Sequence, residues 1–274
     1  MQIDHFQIFS QNKLQDYLDC QRRYELKHLL KQPWPAIQSE PVIENEEHML
    51  LGQQFHLLVQ QYFSGLEENL ISSQINSIIL QKWWQAFLKY SHGMRAIPHR
   101  AELQLNTQLN GIRLVGILDL VLAQPDHKFT IIDWKTNKNK PSRSFLKNHI
   151  QTRLYPLILT IAGKYLNNNI NISPDQIEMI YWYPEFQQQP EIFVYSKEKY
   201  QNDRDYIKNL ISEIQIKLPG TFQKTDQLRT CNFCNYRSLC NRGISAGILD
   251  GDGTIDWQEE IVDIDISQIG EIVF

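Results

Sequence analysis

The chain has 274 residues, 42% of them hydrophobic and 21% charged, an ordinary globular profile that predicts one large domain or one domain with an appendage. Its formal net charge of −4 gives no indication of nucleic-acid binding. The most apolar run, Leu154 to Ala162, is far too short to span a membrane.

The charges are unevenly distributed along the chain. Residues 1–240 hold 26 basic and 23 acidic side chains, whereas the residues that follow hold eight acids and a single basic residue, Arg242. The body is therefore mildly basic and the tail acidic. The first residues lack the apolar segment and cleavage site of a signal peptide. We expect a cytoplasmic protein with no membrane association, whose cysteines do not form disulfides.

The first predicted elements are two helices that each carry a candidate ligand. Ser10 can cap a helix that extends to about Leu30, with Cys20 in its middle. For a lone cysteine, a buried packing role is the simpler interpretation. The second helix spans about Glu46–Phe63 and contains His56, which on its own is also more simply interpreted as structural.

A third helix and a strand follow. The helix is predicted from about Ile71 to Tyr90, with Trp83 and Trp84 packed in the core. The segment Glu102–Leu109 alternates between polar and apolar residues, which predicts a strand. The glutamate at its start is either a solvated side chain or a member of an active site.

Two apolar runs, Ile112–Leu122 and Phe129–Trp134, predict a buried β-hairpin. They carry Asp119 and Asp133, and Lys135 follows directly. An ionised carboxylate in an apolar strand is costly unless it is paired or bound to a metal. Because side chains alternate along a strand, Asp133 and Lys135 face the same side, and strand pairing could bring Asp119 there as well. A metal-assisted phosphodiesterase needs such an arrangement of two acids and one amine.

A basic segment comes after the hairpin, formed by Lys138, Lys140, Arg143 and Lys147. It is either a solvated loop or a contact for a phosphate backbone. The next helix is predicted from about Ser144 to Leu166, and it places Gln151 and Tyr155 one above the other on one face.

The last predicted elements are two strands and a helix, at Gln176–Tyr183, Glu191–Tyr195 and about Lys197–Lys217. Three of the four cysteines then follow as Cys231-x-x-Cys234 and, after five residues, Cys240. A Cys-x-x-Cys pair is a common metal chelate, and Cys20 is the remaining cysteine that could supply a fourth thiolate. Zinc and a [4Fe–4S] cluster both accept four thiolates, and the spacing alone does not choose between them.

Several of these motifs, in this order, resemble the PD-(D/E)xK nuclease superfamily, specifically its RecB-like branch. The central match is Gly116-Ile117-Leu118-Asp119 followed by Asp133-Trp134-Lys135, with Leu118 in the place of the family's proline. The further matches are Gly52-x-x-x-His56, Glu102 and Gln151-x-x-x-Tyr155. The resemblance covers roughly Ser10 to Cys240.

This resemblance implies an α/β fold with a restriction-endonuclease-like mixed central sheet flanked by helices. It also implies a Mg²⁺- or Mn²⁺-dependent DNA nuclease, in our interpretation an exonuclease on single-stranded DNA or DNA ends. The implied metal ligands are His56, Asp119, Asp133 and the carbonyl of Trp134. The implied catalytic residues are Asp119, Asp133, Lys135, Glu102, Gln151 and Tyr155. Lys135 would orient water or stabilise the phosphate charge, while Gln151 and Tyr155 would position the substrate backbone.

The cysteines resemble those of AddB-type and CRISPR-associated iron–sulfur nucleases. The resemblance implies that Cys20, Cys231, Cys234 and Cys240 hold a [4Fe–4S] cluster, with zinc as the less favoured alternative. The cluster would join the two ends of a nuclease domain over residues 1–243, followed by an acidic C-terminal tail over residues 244–274. The implied partners are DNA and a helicase or CRISPR-adaptation protein, in DNA repair, recombination or CRISPR adaptation.

Two other classes of function remain open. The chain could be a non-catalytic DNA-binding or assembly module with a nuclease-like fold, or a zinc-clamped nuclease acting on RNA. In the tail, the segment that starts at Asp250 resembles a calcium loop but has Ile261 where a glutamate is required, which disfavours calcium. The charge asymmetry also suggests the hypothesis that the tail lies across the basic body.

Overall fold

The computed structural model of the protein describes residues 8–33, 42–232 and 234–243, with the backbone alone for residues 42–46. The predicted acidic tail, its calcium-like segment and the domain boundary after residue 243 lie outside these residues. Within the described ranges, no helix combines the length and the apolar character that crossing a bilayer requires.

Six strands form one sheet. They are β1 (Ile8–Ser10), β2 (His99–Leu109), β3 (Ile112–Ala123), β4 (Phe129–Trp134), β5 (Ile177–Trp182) and β6 (Glu191–Val194). The α-helices are α1 (Gln11–Asp19), α2 (Gln21–Tyr24), α3 (Val42–Phe63), α4 (Glu68–Ser72), α5 (Ile78–Tyr90), α6 (Arg143–Asn148), α7 (Ile150–Ala162), α8 (Lys197–Ile216) and α9 (Leu228–Asn232).

The sheet is mixed, and β3 is its organising strand. β2 pairs antiparallel with β3 along its whole length. The other edge of β3 is shared by β1, which pairs in parallel with Arg113–Val115, and by β4, which pairs antiparallel with Leu120–Ala123. β4 then pairs in parallel with β5, and β5 antiparallel with β6. The predicted α/β fold with a mixed central sheet is confirmed, and it is consistent with a restriction-endonuclease-like architecture.

Helices cover both faces of this sheet. One helical layer consists of α1, α7 and α8, and it buries Phe129 and Ile131 of β4. The other layer consists of α3, α4 and α5, and it buries Ile132 and Trp134 of the same strand. The alternation along β4 therefore assigns each layer to one face. Trp83 and Trp84 of α5 are buried in the second layer, as predicted.

Strand β2 changes the layer that it faces at Glu102. Leu103 and Leu105 pack in the α7–α8 layer, whereas Ala101 packs against the α3–α5 layer. Regular alternation would keep these three residues on one face. The backbone of Glu102 has a φ of 47°, in the left-handed region that non-glycine residues rarely adopt. This local conformation breaks the alternation.

Strand β3 makes the same change opposite this point. Leu118 packs in the α7–α8 layer and Leu120 in the α3–α5 layer, with Asp119 between them. The neighbouring pairs of the ladder place Asp119 directly opposite Glu102. We call this pair the face switch. It brings two carboxylates together on neighbouring strands, with Asp119 buried and Glu102 partly exposed.

The prediction of one continuous helix from Ser10 to Leu30 is wrong. Ser10 does cap α1, because its Oγ accepts a hydrogen bond from the Lys13 amide at 3.3 Å. Cys20 then adopts an extended conformation and separates α1 from α2, and a π-helix over Glu25–Leu29 follows. The break turns Cys20 toward the C-terminal cysteines, which sequence periodicity cannot show.

Two further predicted helices are each divided. The segment predicted from Ile71 to Tyr90 contains α4 and α5, with Ser77 capping α5 through the Leu80 amide. The segment predicted to begin at Ser144 begins instead after Ser142, whose Oγ accepts from the Phe145 amide at 3.2 Å. It is interrupted at His149, which is extended and caps α7. In each case a capping side chain starts a new helix where hydrophobic periodicity predicts continuity.

Candidate active site

A histidine from α3 lies beside the face switch. The ligand atoms of His56, Glu102 and Asp119 all lie within 4.8 Å of one another, and Nδ1 of His56 is 3.5 Å from Oδ2 of Asp119. Nε2 of the same ring is 2.8 Å from the carbonyl oxygen of Trp134. Because a carbonyl only accepts, Nε2 carries the proton in this arrangement. One imidazole and two carboxylates therefore converge at the face switch, with the Trp134 carbonyl at the other nitrogen of the ring.

The packing of α3 fixes the position of this histidine. Phe55, Leu58, Val59 and Tyr62 are buried on the face of α3 that packs against the sheet. His56 follows Phe55, at the border of this apolar stripe, and is partly exposed. A rigid helix thus delivers the imidazole to the end of β4.

Asp119 also holds β4 in place. Its Oδ2 accepts a hydrogen bond from the backbone amide of Trp134 at 2.9 Å. The β3–β4 ladder pairs Leu120 with Ile132 and extends from there toward Ala123 and Phe129. The carboxylate therefore serves the backbone of β4 just beyond that ladder, and it fixes the distance between the two acid-bearing strands.

Asp133 is held from two sides. Gln151 Nε2 donates to its Oδ1, and Lys135 Nζ lies 3.1 Å from its Oδ2. The side chain of Asp133 is 2% exposed. Burial raises the pKa of Asp133; Lys135 opposes the rise and Asp119 adds to it. A cation beside this carboxyl would favour its ionised form.

Gln151 and Tyr155 lie on the face of α7 that meets the sheet, but they face different partners. Gln151 contacts Asp133, and its Oε1 is buried without a hydrogen-bond partner. The hydroxyl of Tyr155 donates to Oε1 of Gln11 at 3.1 Å. Gly116 of β3 permits this packing, because a Cβ there would lie 3.4 Å from the Tyr155 ring and 3.3 Å from Ile158. The structure thus brings Gln151 to Asp133, while the Tyr155 hydroxyl contacts α1 and lies close enough to Asp133 and Asp119 for burial and these charges to raise its pKa.

The basic segment after Lys135 is only partly available to a ligand. Lys140 Nζ lies 2.7 Å and Arg143 Nη1 2.6 Å from the carboxylate of Glu191. These two cations tie the segment to β6, so a phosphate backbone would compete with Glu191 for them. Lys138 and Lys147 remain exposed.

Sequence reasoning missed His48, which lies on α3 eight residues before His56. Its Nε2 is 2.6 Å from the carbonyl oxygen of Thr136. A helix turns through 3.6 residues, so positions i and i+8 share one stripe. The eight-residue spacing of the two histidines is therefore the sequence signal that could have identified His48. Neither histidine alone indicates that both contact the chain after β4.

The four cysteines line one cavity. Cys20, Cys231, Cys234 and Cys240 are all free thiols, two of them buried. Burial raises the pKa of the Cys234 and Cys240 thiols, and the neighbouring cysteines add to the rise. Among the described residues, the group of three His, Cys, Asp or Glu ligand atoms that lie within 4.8 Å of one another is the one at the face switch. No three of the cysteine sulfurs lie that close together.

Main-chain and side-chain contacts join the same two ends of the chain independently of the cysteines. The amide of Arg22 donates to the carbonyl of Gln223 at 2.9 Å, and the amide of Gly220 donates to the carboxylate of Glu25. The hydroxyl of Tyr236 donates to the carbonyl of Gln32 at 3.1 Å. The N-terminal segment and the segment after α8 therefore form one folded unit.

Two solved structures align with this chain at low sequence identity. A crystal structure of a candidate exonuclease from Eubacterium rectale has a TM-score of 0.48 and 11% identity, covering 87% of this chain and 90% of the other. A crystal structure of SSO0001 has a TM-score of 0.41 and 11% identity, covering 89% and 90%. No curated protein matches the sequence significantly.

The sequence model of one family spans nearly all of the described chain. It matches residues 8–241, from the first residue of β1 to the residue after Cys240. This range contains the face switch, the Asp133–Lys135 pair and all four cysteines. The chain belongs to the PD-(D/E)XK nuclease superfamily.

Proposed function

We propose that this member of the superfamily is a divalent-metal-dependent deoxyribonuclease of the RecB-like branch, acting as an exonuclease on single-stranded DNA or DNA ends. One observation carries the proposal. His56, Glu102 and Asp119 converge within 4.8 Å at the face switch, and the next strand presents Asp133 and Lys135 as an ion pair. Acids, an imidazole and an amine beside one another suit metal-assisted phosphodiester hydrolysis.

The donor set fits a hard or borderline divalent ion. The proposed ligands are His56, Asp119, Asp133 and the carbonyl of Trp134, and Glu102 is close enough to join them. Carboxylate and carbonyl oxygens suit Mg²⁺ and Mn²⁺, and the imidazole favours Mn²⁺. An additional observation supports the fit: Asp133 is 2% exposed, and its Oδ2 is neutralised by a single amine, Lys135 Nζ at 3.1 Å, with the Asp119 carboxylate also nearby. A cation would compensate this buried charge.

When bound, the metal supplies Lewis-acid activation of the scissile phosphate and of water. The side chains of this protein do the rest. Lys135 holds an amine at the acids, where it orients the attacking water or stabilises the negative charge that grows on the phosphate. Gln151 donates to Asp133 and fixes the direction of that carboxylate. Tyr155 packs against β3 and so holds α7, which carries Gln151, against the sheet.

A cleavage assay tests the proposal. Labelled single-stranded DNA with free ends, the same DNA with both ends blocked, and the matching RNA are each incubated with Mg²⁺, Mn²⁺ or a chelator. We expect metal-dependent loss of the free-ended DNA, protection by blocked ends and little cleavage of RNA. Cleavage of blocked DNA would replace the exonuclease assignment with an endonuclease. DNA binding without cleavage under any metal would leave a non-catalytic module.

We further propose that the four cysteines hold a [4Fe–4S] cluster. All four cysteines line one cavity, which supports a single centre held by four thiolates. Zinc and a [4Fe–4S] cluster both accept such a set, and the resemblance of the cysteine spacing to iron–sulfur nucleases favours the cluster. Its role would be structural, joining the two ends of the domain. Visible absorption and iron content of anaerobically purified protein test this, and stoichiometric zinc without iron would overturn it.

The cellular setting follows from the substrate. DNA repair, recombination and CRISPR adaptation all generate single strands or ends, and a helicase or CRISPR-adaptation protein is the partner that such a nuclease would use. Co-purification from the native host, with and without nuclease treatment of the extract, distinguishes a protein partner from one held through DNA.

A further inference from the structure

Two histidines of α3 hold the main chain on either side of Lys135. Nε2 of His56 is 2.8 Å from the carbonyl of Trp134, and Nε2 of His48 is 2.6 Å from the carbonyl of Thr136. Both acceptors are carbonyl oxygens, so each Nε2 donates. The two histidines are about 12 Å apart along the helix axis at 1.5 Å per residue. A single rigid helix thus grips residues 134 and 136.

The chain at Thr136 has left the sheet. The β4–β5 ladder ends at the pair of Trp134 and Trp182, and the amide of Lys135 donates to the carbonyl of Trp182 at 2.9 Å. Thr136 begins the loop that follows. The hydrogen bond from His48 therefore anchors the backbone at Thr136, beyond the last contact with the sheet.

His48 is itself held in a fixed orientation. Its ring packs edge-on against Trp83, with ring centroids 5.4 Å apart, and Trp83 is almost fully buried. The indole Nε1 of Trp83 donates to the carboxylate of Glu185 at 2.6 Å. Burial also lowers the pKa of His48, which favours the neutral ring that donates from Nε2 alone. The contact to Thr136 is thus built into the core of the α3–α5 layer.

We infer that His48 is a positioning residue for Lys135: by holding the Thr136 carbonyl, it fixes the backbone from which the Lys135 amine reaches the phosphate. Because a lysine side chain is long and flexible, its amine is fixed only when both of its ends are held, the backbone at residue 135 and the amine by Asp133. A displacement of about 1 Å at a catalytic group costs on the order of 10²-fold in rate. The inference deepens the proposed function and rests on it.

Two substitutions separate positioning from folding. His48→Leu removes the donor, and His48→Gln replaces it with an amide that can still donate to Thr136. We expect His48→Leu to lower kcat by about 10- to 100-fold, with KM for DNA and the affinity for Mn²⁺ within about 2-fold of wild type. His48→Gln should recover most of the rate. His92→Leu, at an exposed histidine after α5, is the matched control and should leave kcat unchanged.

A double-mutant cycle tests whether the effect passes through Lys135. In single-turnover reactions with enzyme in excess, His48→Leu should cause no further loss once Lys135 is alanine. Full activity of His48→Leu, equal losses in both backgrounds, or weakened Mn²⁺ binding would each overturn the inference.

A measurement without cleavage keeps the inference separate from the proposed function. In protein labelled with ¹⁵N-histidine, the Nε2 proton of His48 should give a hydrogen-bonded signal that His48→Gln removes. An inactive wild type would reject the proposed function, whereas absence of this signal from an active wild type would reject the positioning role.

Discussion

Glu102 and Asp119 lie opposite each other across β2 and β3, at the pair of residues where both strands change the helical layer that their side chains face. Like charges directly opposite on neighbouring strands are destabilising. The face switch therefore places two carboxylates in an arrangement that a bound cation would stabilise. It also brings both within reach of His56, which regular alternation would not do.

The Glu102→Gly variant should be more stable than the Glu102→Ala variant. The φ at this position is 47°, a left-handed conformation that is sterically unfavourable for a residue with a Cβ but not for glycine. We expect Glu102→Gly to exceed Glu102→Ala in free energy of unfolding by about 1 kcal/mol, measured by urea denaturation of metal-free protein. Both variants should lose cleavage equally, since both lack the carboxylate. Equal stabilities would mean that the backbone relaxes out of the left-handed region.

Removing a charged group beside the metal position should strongly slow cleavage and preserve the fold. We expect Asp119→Ala, Asp133→Ala and Lys135→Ala each to reduce the rate by at least about 10²-fold, with native circular dichroism. Asp126→Asn and Lys128→Ala are matched controls, because these residues form an exposed ion pair at the turn of the same hairpin. Full activity in one of the three variants would remove that residue from the mechanism.

A larger side chain at Gly116 should separate α7 from β3. The position of a Cβ there already lies 3.3 Å from Ile158 and 3.4 Å from Tyr155. We expect Gly116→Val to destabilise the protein by about 1–3 kcal/mol through overpacking, and Gly116→Ala to do so less. Activity should fall with it, because α7 carries Gln151. A valine variant of wild-type stability would show that the helix can move without cost.

Asp203, the partner of Arg153 on α7, should make stability depend on pH. Burial raises the pKa of this carboxyl to about 6, against the opposing effect of Arg153, which lies 3.1 Å away. A raised folded pKa contributes stability that is complete below the unfolded pKa of 3.8 and is lost as pH rises through about 6. Between pH 4 and 7 the wild type should therefore lose about 2 kcal/mol relative to Asp203→Asn.

The control for this pH dependence is the neighbouring exposed carboxylate, Asp205. Asp205→Asn should follow the wild-type profile, because its side chain is 62% exposed. A wild-type profile parallel to that of Asp203→Asn would show that this carboxyl titrates normally in the folded protein.

Much of the fold could be predicted because the strands are strongly patterned. The apolar run Phe129–Trp134 coincides with β4, and β5, β6 and α8 end within one residue of their predicted bounds. Here hydrophobic periodicity reports burial directly, and short turns leave little freedom in the ends of the elements. The family match over residues 8–241 confirms the predicted membership of the PD-(D/E)xK nuclease superfamily.

The geometry of the candidate site could not be predicted in the same way. Alternation places side chains on one face or the other, so it has no means of showing a strand that changes faces at Glu102. Glutamate is not a residue that signals a left-handed backbone. The break at Cys20 is likewise invisible, since its helical spacing is good and the extended conformation serves a contact more than 200 residues away in the chain.

The segment around Cys20 can pair with residues Gly220 to Cys240 only after these residues have been synthesised. The segment around Cys20 leaves the ribosome early, yet its partners from Gly220 to Cys240 arrive some two hundred residues later. At 5–20 residues per second, the early segment waits roughly 10 to 40 s for them. Throughout that interval its thiol and its unpaired backbone are open to chaperones and to oxidants, so the translation of Gly220 to Cys240 decides when this pairing can form.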